Sequence, residues 1–481
     1  MNPTPEQTEV IKTDLKAGDA LKVVAFAGTG KTSTFVEYAK ARPMDQMLYL
    51  AFNKSVQQEA EGKFPANVMS RTVHSMAYQS IGKQFKNLGN VPFFLVTKLL
   101  SVDVYRATLI MRTLENWHNS ADDHIEEKHV PPDSLGRFER GFEPKIVDGA
   151  DYLWRQMRRN DDKMPMTHSG YLKLYQLSKP RLGFDLIMLD EAQDTNPVTF
   201  DIIRQQRELG CRILVCGDPY QQIYSWRGAQ DALDMIDCPT LYLTQSFRFG
   251  PAVASVANKL LSTFFSNKVP LRGHDIADSL VDRHADKHTV ICRTNQALFR
   301  TAASCAAAKQ CIAIVGNVAF DQYLDKLMDV YYLFAGRRTD ICERQVAFFK
   351  SYADLVKFAA DRLDVELGSR VNIVNDFGDR TPAAIASIRS AIVPASQADV
   401  LLVTGHKAKG LEWDSVSLSD DFAELFDDQR RPFAVGPDSL PKDEVNLLYV
   451  SCTRAKRNLQ LNSELRSLMS WAAENYENSK V

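Results

Sequence analysis

Residues 25–32 read Ala25-Phe26-Ala27-Gly28-Thr29-Gly30-Lys31-Thr32. An apolar run at 21–25 precedes the loop and has the composition of a buried strand, while residues 32–41 have helical composition without Gly or Pro. A glycine-bearing loop between a strand and a helix lets backbone N–H groups close on phosphate oxygens. The stretch therefore predicts a nucleoside triphosphate site in a parallel α/β sheet.

Each polar residue of this loop has a predicted role. Gly28, Thr29 and Gly30 would surround the phosphate oxygens, Lys31 would reach the β- and γ-phosphates, and the Thr32 hydroxyl would bind Mg²⁺. The usual first glycine of the pattern is Ala25 here, a difference of one methyl group. The alternative is a Gly-rich turn before a surface helix, and residues further along the chain favour the nucleotide site.

The composition is typical of a large soluble enzyme. With 481 residues, 45% of them hydrophobic, the chain can bury several cores, and its length suggests three or four domains. Eight cysteines without a Cys-x-x-Cys pair, and no apolar run of about 18 residues, predict a cytoplasmic protein that does not enter a membrane. A net charge of −2 excludes an overall basic nucleic-acid binder but allows a local basic channel.

An acidic pair follows a second apolar run. Residues 184–189 predict a strand, and Asp190 and Glu191 stand at its end. We expect Asp190 to hold Mg²⁺ and Glu191 to polarise the attacking water. The alternative is a pair of helix-capping carboxylates, which the apolar strand disfavours. Nearer the start, Gln7 completes a capping box with Thr4, and its amide could instead read the edge of an adenine.

Polar and aromatic residues also stand where the other predicted strands end. Asn53 follows a strand at 47–52, and His74 follows another short apolar step. Ligands bind at the carboxyl ends of parallel strands. Beyond a buried run at 211–216, Trp226 is flanked by polar residues, a setting that suits stacking on a nucleobase, although a lone Trp is usually a core residue.

Three blocks carry a family resemblance: TVHSMAY from Thr72, GDPYQQIYSWRGA from Gly217 and LTQSFRFG from Leu243. Together with the phosphate loop and the acidic pair, in this order, they resemble the superfamily 1 DNA helicases of the UvrD, Rep and PcrA type. They are most similar to the helicase part of F-box DNA helicases, without an F-box. The resemblance covers nearly the whole chain, and its motifs are specific in combination.

The resemblance implies roles for residues in the first half. Gln7 would read adenine, and Gln222 would sense the γ-phosphate. Trp226 and Arg227 would form a base-stacking pair that couples this sensor to DNA. The residues implied to contact single-stranded DNA are Phe52, Asn53, Thr72 and His74.

The second half would supply the other side of the nucleotide. Phe247 would stack on adenine and Arg248 would reach the γ-phosphate; relatives commonly have Asn-Tyr-Arg there, so Ser246-Phe247-Arg248 lacks the phenol. Glu412 would approach the ribose, and Arg454 would be a second arginine finger. Thr404 and His406 belong to a block that touches the DNA backbone.

The expected fold is α/β, with two RecA-like parallel-sheet motor domains and mostly helical insertions. The domain boundaries follow from the order of the blocks. We predict a first motor domain at 1–76 and 182–240 with an insertion at 77–181, and a second motor domain at 241–335 and 399–481 with a reduced insertion at 336–398.

The implied function is that of an ATP- and Mg²⁺-dependent translocase and helicase on single-stranded DNA, with 3′→5′ polarity, in repair, recombination or replication. Expected partners are single-stranded and tailed duplex DNA, with single-strand-binding or recombinase proteins as candidates. The alternatives are an RNA-directed helicase and an ATP-driven remodeller that strips proteins from single-stranded DNA. A nucleotide switch or a helicase–nuclease would need a different set of motifs.

Overall fold

The computed structural model describes residues 2–132, 141–160, 163–225, 228, 231–274, 279–283, 287–360, 364–436 and 438–478. The chain divides into two compact units, Met1–Thr244 and Gln245–Val481. Each unit is built on a six-stranded sheet in which all the strand pairs are parallel. The predicted α/β class with two parallel sheets is confirmed.

The first unit has four inner strands that are largely apolar and buried, and two edge strands that are partly exposed. Its strands are β1 (Ala20–Ala25), β2 (Met47–Leu50), β3 (Val68–Arg71), β4 (Leu186–Leu189), β5 (Arg212–Gly217) and β6 (Thr240–Leu243). They lie in the order β3-β2-β4-β5-β1-β6. Because every strand is parallel, the loops that follow β1, β2, β4 and β5 emerge at one edge of the sheet.

Helices connect these strands. They are α1 (Pro5–Lys12), α2 (Lys31–Lys40), α3 (Lys54–Glu61), α4 (Val73–Ser80), α5 (Phe93–Leu100), α6 (Val104–Asn119), α7 (Glu143–Met157), α8 (His168–Leu177), α9 (Pro197–Glu208) and α10 (Ala232–Met235). The predicted capping box at the start of α1 is confirmed, since the Thr4 side chain accepts from the Gln7 backbone and the Gln7 side chain accepts from Thr4.

The named elements that the structure describes between β3 and β4 are all helices, joined by loops that include an isolated bridge between Leu88 and Met166. Helices α5 to α8 form most of a core around Trp117 and Trp154, whose ring centroids lie 5.4 Å apart, and α4 and α9 also contribute to this core. Lys173 lies in this core with its Nζ 4.9 Å from the centre of the Trp117 ring, and it donates a hydrogen bond of 3.1 Å to the Ser120 carbonyl. The insertion at 77–181 stays a prediction, which is supported by the fact that most of this core lies within those residues.

The buried Lys173 leads to a prediction about pH and stability. Burial lowers its pKa from the ordinary 10.5 to about 8, although neighbouring carboxylates such as Asp122 raise it. Between these two values the unfolded chain binds more protons than the folded chain, so stability rises with pH. We expect the free energy of unfolding of the wild type, relative to Lys173→Met, to rise by about 1–2 kcal/mol between about pH 8 and pH 10. Urea unfolding at both pH values measures it, and a constant difference would contradict it.

The second unit repeats the parallel design. Its strands are β7 (Leu280–Val281), β8 (His288–Cys292), β9 (Ile312–Ile314), β10 (Val400–Thr404), β11 (Trp413–Leu418) and β12 (Ala455–Gln460), in the order β7-β12-β11-β8-β10-β9. Its helices are α11 (Pro251–Phe265), α12 (Asn295–Ala307), α13 (Asn317–Phe334), α14 (Arg344–Ala347), α15 (Tyr352–Ala360), α16 (Val365–Phe377), α17 (Thr381–Ala391), α18 (Gly405–Ala408), α19 (Lys442–Cys452) and α20 (Ser463–Asn478).

One predicted boundary differs from the structure. We predicted the second motor domain from residue 241, whereas the first unit continues to Thr244. The physical reason is that β6 pairs in parallel with β1, with Leu241 opposite Val23, and so completes the first sheet. The reduced insertion at 336–398 stays a prediction. It falls in the region of α14 to α17, between β9 and β10.

Among the described residues, no helix has the length and apolar character needed to cross a membrane.

Candidate nucleotide and nucleic-acid site

The phosphate loop joins β1 to α2 through two glycines with left-handed backbones. Gly28 has φ 74° and Gly30 has φ 79°, conformations that side chains with a Cβ adopt at a cost. The Thr29 hydroxyl donates to the Phe26 carbonyl at 2.8 Å and holds the turn closed. Gly30 is the N-cap of α2 and brings no side chain to the helix start. The first N–H groups of α2 and its dipole therefore favour an anion at this point.

The acidic pair lies at the end of β4, and its partners hold it beside the loop. Lys31 Nζ lies 3.5 Å from Glu191 Oε1. Asp190 is buried, and its Oδ2 accepts a hydrogen bond of 2.6 Å from the Tyr49 hydroxyl on the neighbouring strand β2. Its Oδ1 accepts from the Glu191 backbone N–H at 2.9 Å. The carboxylate of Asp190 is thus fixed in orientation from two sides.

Glu191 has an unusual backbone. Its φ of 50° places a non-glycine residue in the left-handed region, which costs roughly 1–2 kcal/mol. Gln193 stabilises this turn, because its Nε2 donates to the Glu191 carboxylate and its Oε1 accepts from the Asp218 N–H at 3.0 Å. A Cβ on Gly217 would overlap Gln193 Oε1, so this position at the end of β5 requires glycine. With this backbone, the Glu191 carboxylate lies 3.5 Å from Lys31 of the phosphate loop.

Three carboxylates, those of Asp190, Glu191 and Asp218, act on the single ammonium of Lys31. Burial lowers the pKa of Lys31, but these three charges raise it by more, so it stays charged. Burial and the neighbouring Glu191 raise the pKa of Asp190 to about 6. A site with this excess of buried negative charge is suited to a further cation.

The residues present fit magnesium bound together with a nucleotide. Mg²⁺ is commonly held by one or two carboxylates together with phosphate oxygens. Thr32, at the start of α2, and Asp190 are the two residues that would hold the ion.

Gln7 contacts the phosphate loop directly. Its Nε2 donates to the Thr29 carbonyl at 3.2 Å, and its Oε1 accepts from the Thr4 N–H at 2.9 Å. The side chain is only 7% exposed, so helix α1 is fastened to the loop through this amide. The adenine contact stays a prediction, and it would need the amide to exchange a protein partner for the base.

Two stacked aromatic pairs hold the segment around Gln222. Tyr220 stacks on Phe26 of the phosphate loop with ring centroids 6.0 Å apart and planes 4° apart. Tyr224 stacks on Phe52 after β2, at 5.6 Å and 17°. Gln222, which we predict to sense the γ-phosphate, therefore lies in sequence between Tyr220, which packs on the phosphate loop, and Tyr224, which packs on the residue at the end of β2. Neither tyrosine was predicted from sequence, although each stands two residues from Gln222.

The predicted DNA contacts differ in what they do locally. Phe52 is 39% exposed. Asn53 is the N-cap of α3 and accepts from the Val56 N–H at 2.9 Å, and Thr72 is the N-cap of α4 and accepts from the Ser75 N–H at 3.1 Å. These two side chains already satisfy helix ends. Trp226 and Arg227 lie outside the described residues.

His74, the remaining predicted DNA contact in this unit, is packed edge-on against Tyr171 at a centroid distance of 6.1 Å. Burial, together with the nearby His168, lowers the pKa of His74 below that of an ordinary histidine. It is therefore neutral at pH 7, and any contact with nucleic acid would use its hydrogen-bonding capacity rather than a positive charge.

In the second unit, the predicted nucleotide residues converge although they are distant in sequence. Arg248 Nε donates to Glu412 Oε2 at 2.8 Å, across 164 residues of chain, and its Nη1 donates to the Thr453 carbonyl at 3.3 Å. The segment before it is fixed because the Ser246 N–H donates to the Arg272 carbonyl at 2.8 Å. Phe247 faces His274 with ring centroids 6.2 Å apart.

Arg454 is buried and bonded to backbone oxygens of its own unit. Its Nε donates to the Val450 carbonyl at 2.8 Å, and its Nη1 donates to the Leu411 carbonyl at 3.2 Å. In this conformation it holds the loop that carries Glu412, and its role as an arginine finger stays a prediction. Thr404 ends β10, and His406 lies in the short helix α18 that follows.

Comparison with known proteins identifies related domains in both units. The family model for the UvrD/REP helicase N-terminal domain matches residues 176–233, and that for the UvrD-like helicase C-terminal domain matches residues 355–465. F-box DNA helicase 1 of Gallus gallus is 36% identical over 98% of this chain and 50% of its own length. F-box DNA helicase protein 1 of Schizosaccharomyces pombe is 32% identical over 97% of this chain and 58% of its own length.

A more distant relative is the ATP-dependent DNA helicase PcrA of Bacillus subtilis, 24% identical over 55% of this chain and 40% of its own length. The chain spans about half the length of the two F-box relatives. The matched N-terminal domain contains the acidic pair and Gln222, and the matched C-terminal domain contains Glu412 and Arg454. With both family models matched, one in each unit, the chain carries the N- and C-terminal domains of UvrD-like helicases.

Proposed function

We propose that this protein is an ATP-driven motor that moves 3′→5′ along single-stranded DNA and unwinds duplex DNA. The observation that carries the proposal is the segment around Gln222, which stacks on the phosphate loop through Tyr220 and on the exposed Phe52 through Tyr224. A movement of the phosphate loop when nucleotide binds or is hydrolysed would reach Phe52, the aromatic residue after β2, through the short segment 220–224. Both F-box relatives and PcrA are named as DNA helicases, which supports DNA as the polymer.

The proposed chemistry is hydrolysis of the γ-phosphoryl group of ATP. Glu191 takes a proton from the attacking water, whose oxygen bonds to the γ-phosphorus while the bond to the bridging oxygen of ADP breaks. Lys31 and the start of α2 hold the phosphate oxygens. A magnesium ion bound with the nucleotide would supply positive charge at the β- and γ-oxygens. We propose Arg248 and Arg454 as the arginines of the second unit that act on the nucleotide.

ATP turnover measured with single-stranded DNA, with single-stranded RNA and without polymer tests which nucleic acid the protein acts on. We expect ATP hydrolysis to be stimulated at least about tenfold by single-stranded DNA, because a strand that binds the hydrolysis-competent conformation more tightly shifts the protein toward it. Single-stranded RNA should stimulate less, and no polymer should give the basal rate. Equal stimulation by RNA would favour the RNA-directed alternative, and no stimulation by either polymer would contradict the motor.

Strand displacement tests the polarity. We expect a duplex with a 3′ single-stranded tail to be unwound with ATP and Mg²⁺, and a duplex with only a 5′ tail to remain paired, because a motor that tracks one strand 3′→5′ can load only on the 3′ tail. The control is a blunt duplex. Preference for the 5′ tail would overturn the polarity, and release of bound protein from single strands without strand separation would favour the remodeller.

Repair, recombination or replication is the process we propose for this activity, with single-strand-binding or recombinase proteins as candidate partners.

A further inference from the structure

Asn119, the last residue of α6, lies where the predicted insertion meets two loops of the first motor sheet. It is buried, with 8% of its surface exposed. One of these loops follows the acidic pair and leads into α9, and the other continues from Gln222. No sequence pattern singles Asn119 out, because an asparagine at a helix end is ordinary.

The first contact runs toward the acidic pair. Asn196 caps α9 by accepting from the Thr199 N–H at 3.2 Å, and its Nδ2 donates to Asn119 Oδ1 at 3.1 Å. Asn196 stands five residues after Glu191, and the single turn at Ala192–Asp194 separates them. A displacement of α6 would therefore act on the connection that begins at the proposed general base.

The second contact runs toward the sensor segment. Gly228 has φ 78°, and its N–H donates at 2.8 Å to the carbonyl of Ser225, the third residue after Gln222. A Cβ built on Gly228 would lie 3.0 Å from Asn119 Cβ. Gly228 thus lies directly against the side chain of Asn119, with no free space for a larger residue at position 228.

The third contact runs into the insertion. Asn119 Nδ2 donates to Glu115 Oε1 at 3.2 Å, and the Ser169 hydroxyl of α8 donates to the same oxygen at 2.7 Å. Glu115 also acts electrostatically on His74, one of the predicted DNA contacts. The amide of Asn119 uses its donor toward the insertion and its acceptor toward α9, so each contact fixes the orientation that the other needs.

We propose that Asn119 is a positioning residue through which the insertion sets the geometry of the Glu191 and Gln222 loops, so that engagement of DNA accelerates ATP turnover. The inference rests on the proposed DNA-driven ATP hydrolysis and goes beyond it, because it names the route by which the insertion acts on the site. In the described contacts, Asn119 touches neither Glu191 nor Gln222. We therefore expect it to affect how far DNA stimulates ATP hydrolysis rather than the chemical step itself.

The test compares Asn119→Ala with the wild type in basal and DNA-stimulated ATP hydrolysis. We expect the DNA-stimulated kcat to fall about fivefold, the size that follows from losing one or two buried hydrogen bonds, with the basal rate and the affinity for single-stranded DNA each within about twofold. The matched control is Asn116→Ala, one turn earlier on α6, whose amide donates at 2.8 Å to the His129 carbonyl inside the insertion. It should leave stimulation unchanged.

A second variant, Asn196→Asp, keeps the outcome decisive if Asn119→Ala unfolds. Aspartate caps a helix as well as asparagine does, so α9 keeps its start, but the donor toward Asn119 Oδ1 is replaced by an acceptor. We expect the same loss of stimulation. Wild-type stimulation in either folded variant would overturn the inference, as would an equal loss in Asn116→Ala. A wild type that DNA does not stimulate would instead overturn the proposed function.

Discussion

Replacing Glu191 with Gln is expected to lower ATP turnover by about 10²-fold or more while ATP binding is kept. Glutamine has the same shape and can still accept the hydrogen bond from Gln193, so the left-handed turn should persist. What is lost is the base that receives the proton from water. Removing one of the three carboxylates around Lys31 also reduces repulsion toward the phosphates, so ATP affinity should be equal or higher.

Single-turnover hydrolysis and equilibrium binding of ATP separate these effects. The matched control is Glu37→Gln on α2, where Glu37 is paired on the surface with Lys40. This variant should hydrolyse ATP at the wild-type rate. If Glu191→Gln turned over like the wild type, the assignment of the general base would be wrong, and Asp190 or Asp218 would have to be considered in its place.

Replacing Lys31 with Ala is expected to weaken ATP binding by at least about tenfold and to abolish turnover, because the ammonium that reaches the phosphates is gone. The change also leaves the buried carboxylates of Asp190 and Asp218 without their nearby cation. We therefore expect some loss of stability in the absence of nucleotide. ATP titration, turnover and thermal unfolding are measured on the same preparation.

Lys40→Ala, at the other end of α2, is the control for this prediction. Its side chain is 54% exposed and pairs with Glu37 on the surface, so its loss should change neither ATP affinity nor stability measurably. Normal ATP affinity in a folded Lys31→Ala protein would contradict the phosphate-loop assignment. Loss of affinity that simply follows unfolding is recognised from the thermal transition of the same sample.

Much of the nucleotide site follows from patterns within a few residues. The strand, glycine loop and helix around Lys31, the apolar strand before Asp190 and the capping box at Thr4 each appear in the structure where the sequence predicted them. Such features depend on local backbone preferences and on the burial of short apolar runs, and the chain specifies both close in sequence. The family resemblance added the order of the blocks, and the two matched domains cover those that contain the acidic pair, Gln222, Glu412 and Arg454.

The end of the first unit was harder to predict. Leu241 and Leu243 belong to a strand that could extend either sheet, and only its pairing with β1 assigns it to the first. A short apolar run carries no information about its neighbours, because strand order results from the packing of the whole sheet. The prediction that a new domain began at residue 241 therefore missed the boundary by four residues.

By itself the sequence determined the class of fold, the phosphate loop and the identity of the acidic pair. Only the tertiary structure decided how those groups are held. Tyr49 orients Asp190 across 141 residues, and Arg248 pairs with Glu412 across 164. Asn119 bridges the insertion to α9 across 77 residues. A hydrogen bond between distant residues depends on distances of a few tenths of an ångström, which arise only when sheets and helices have packed against one another.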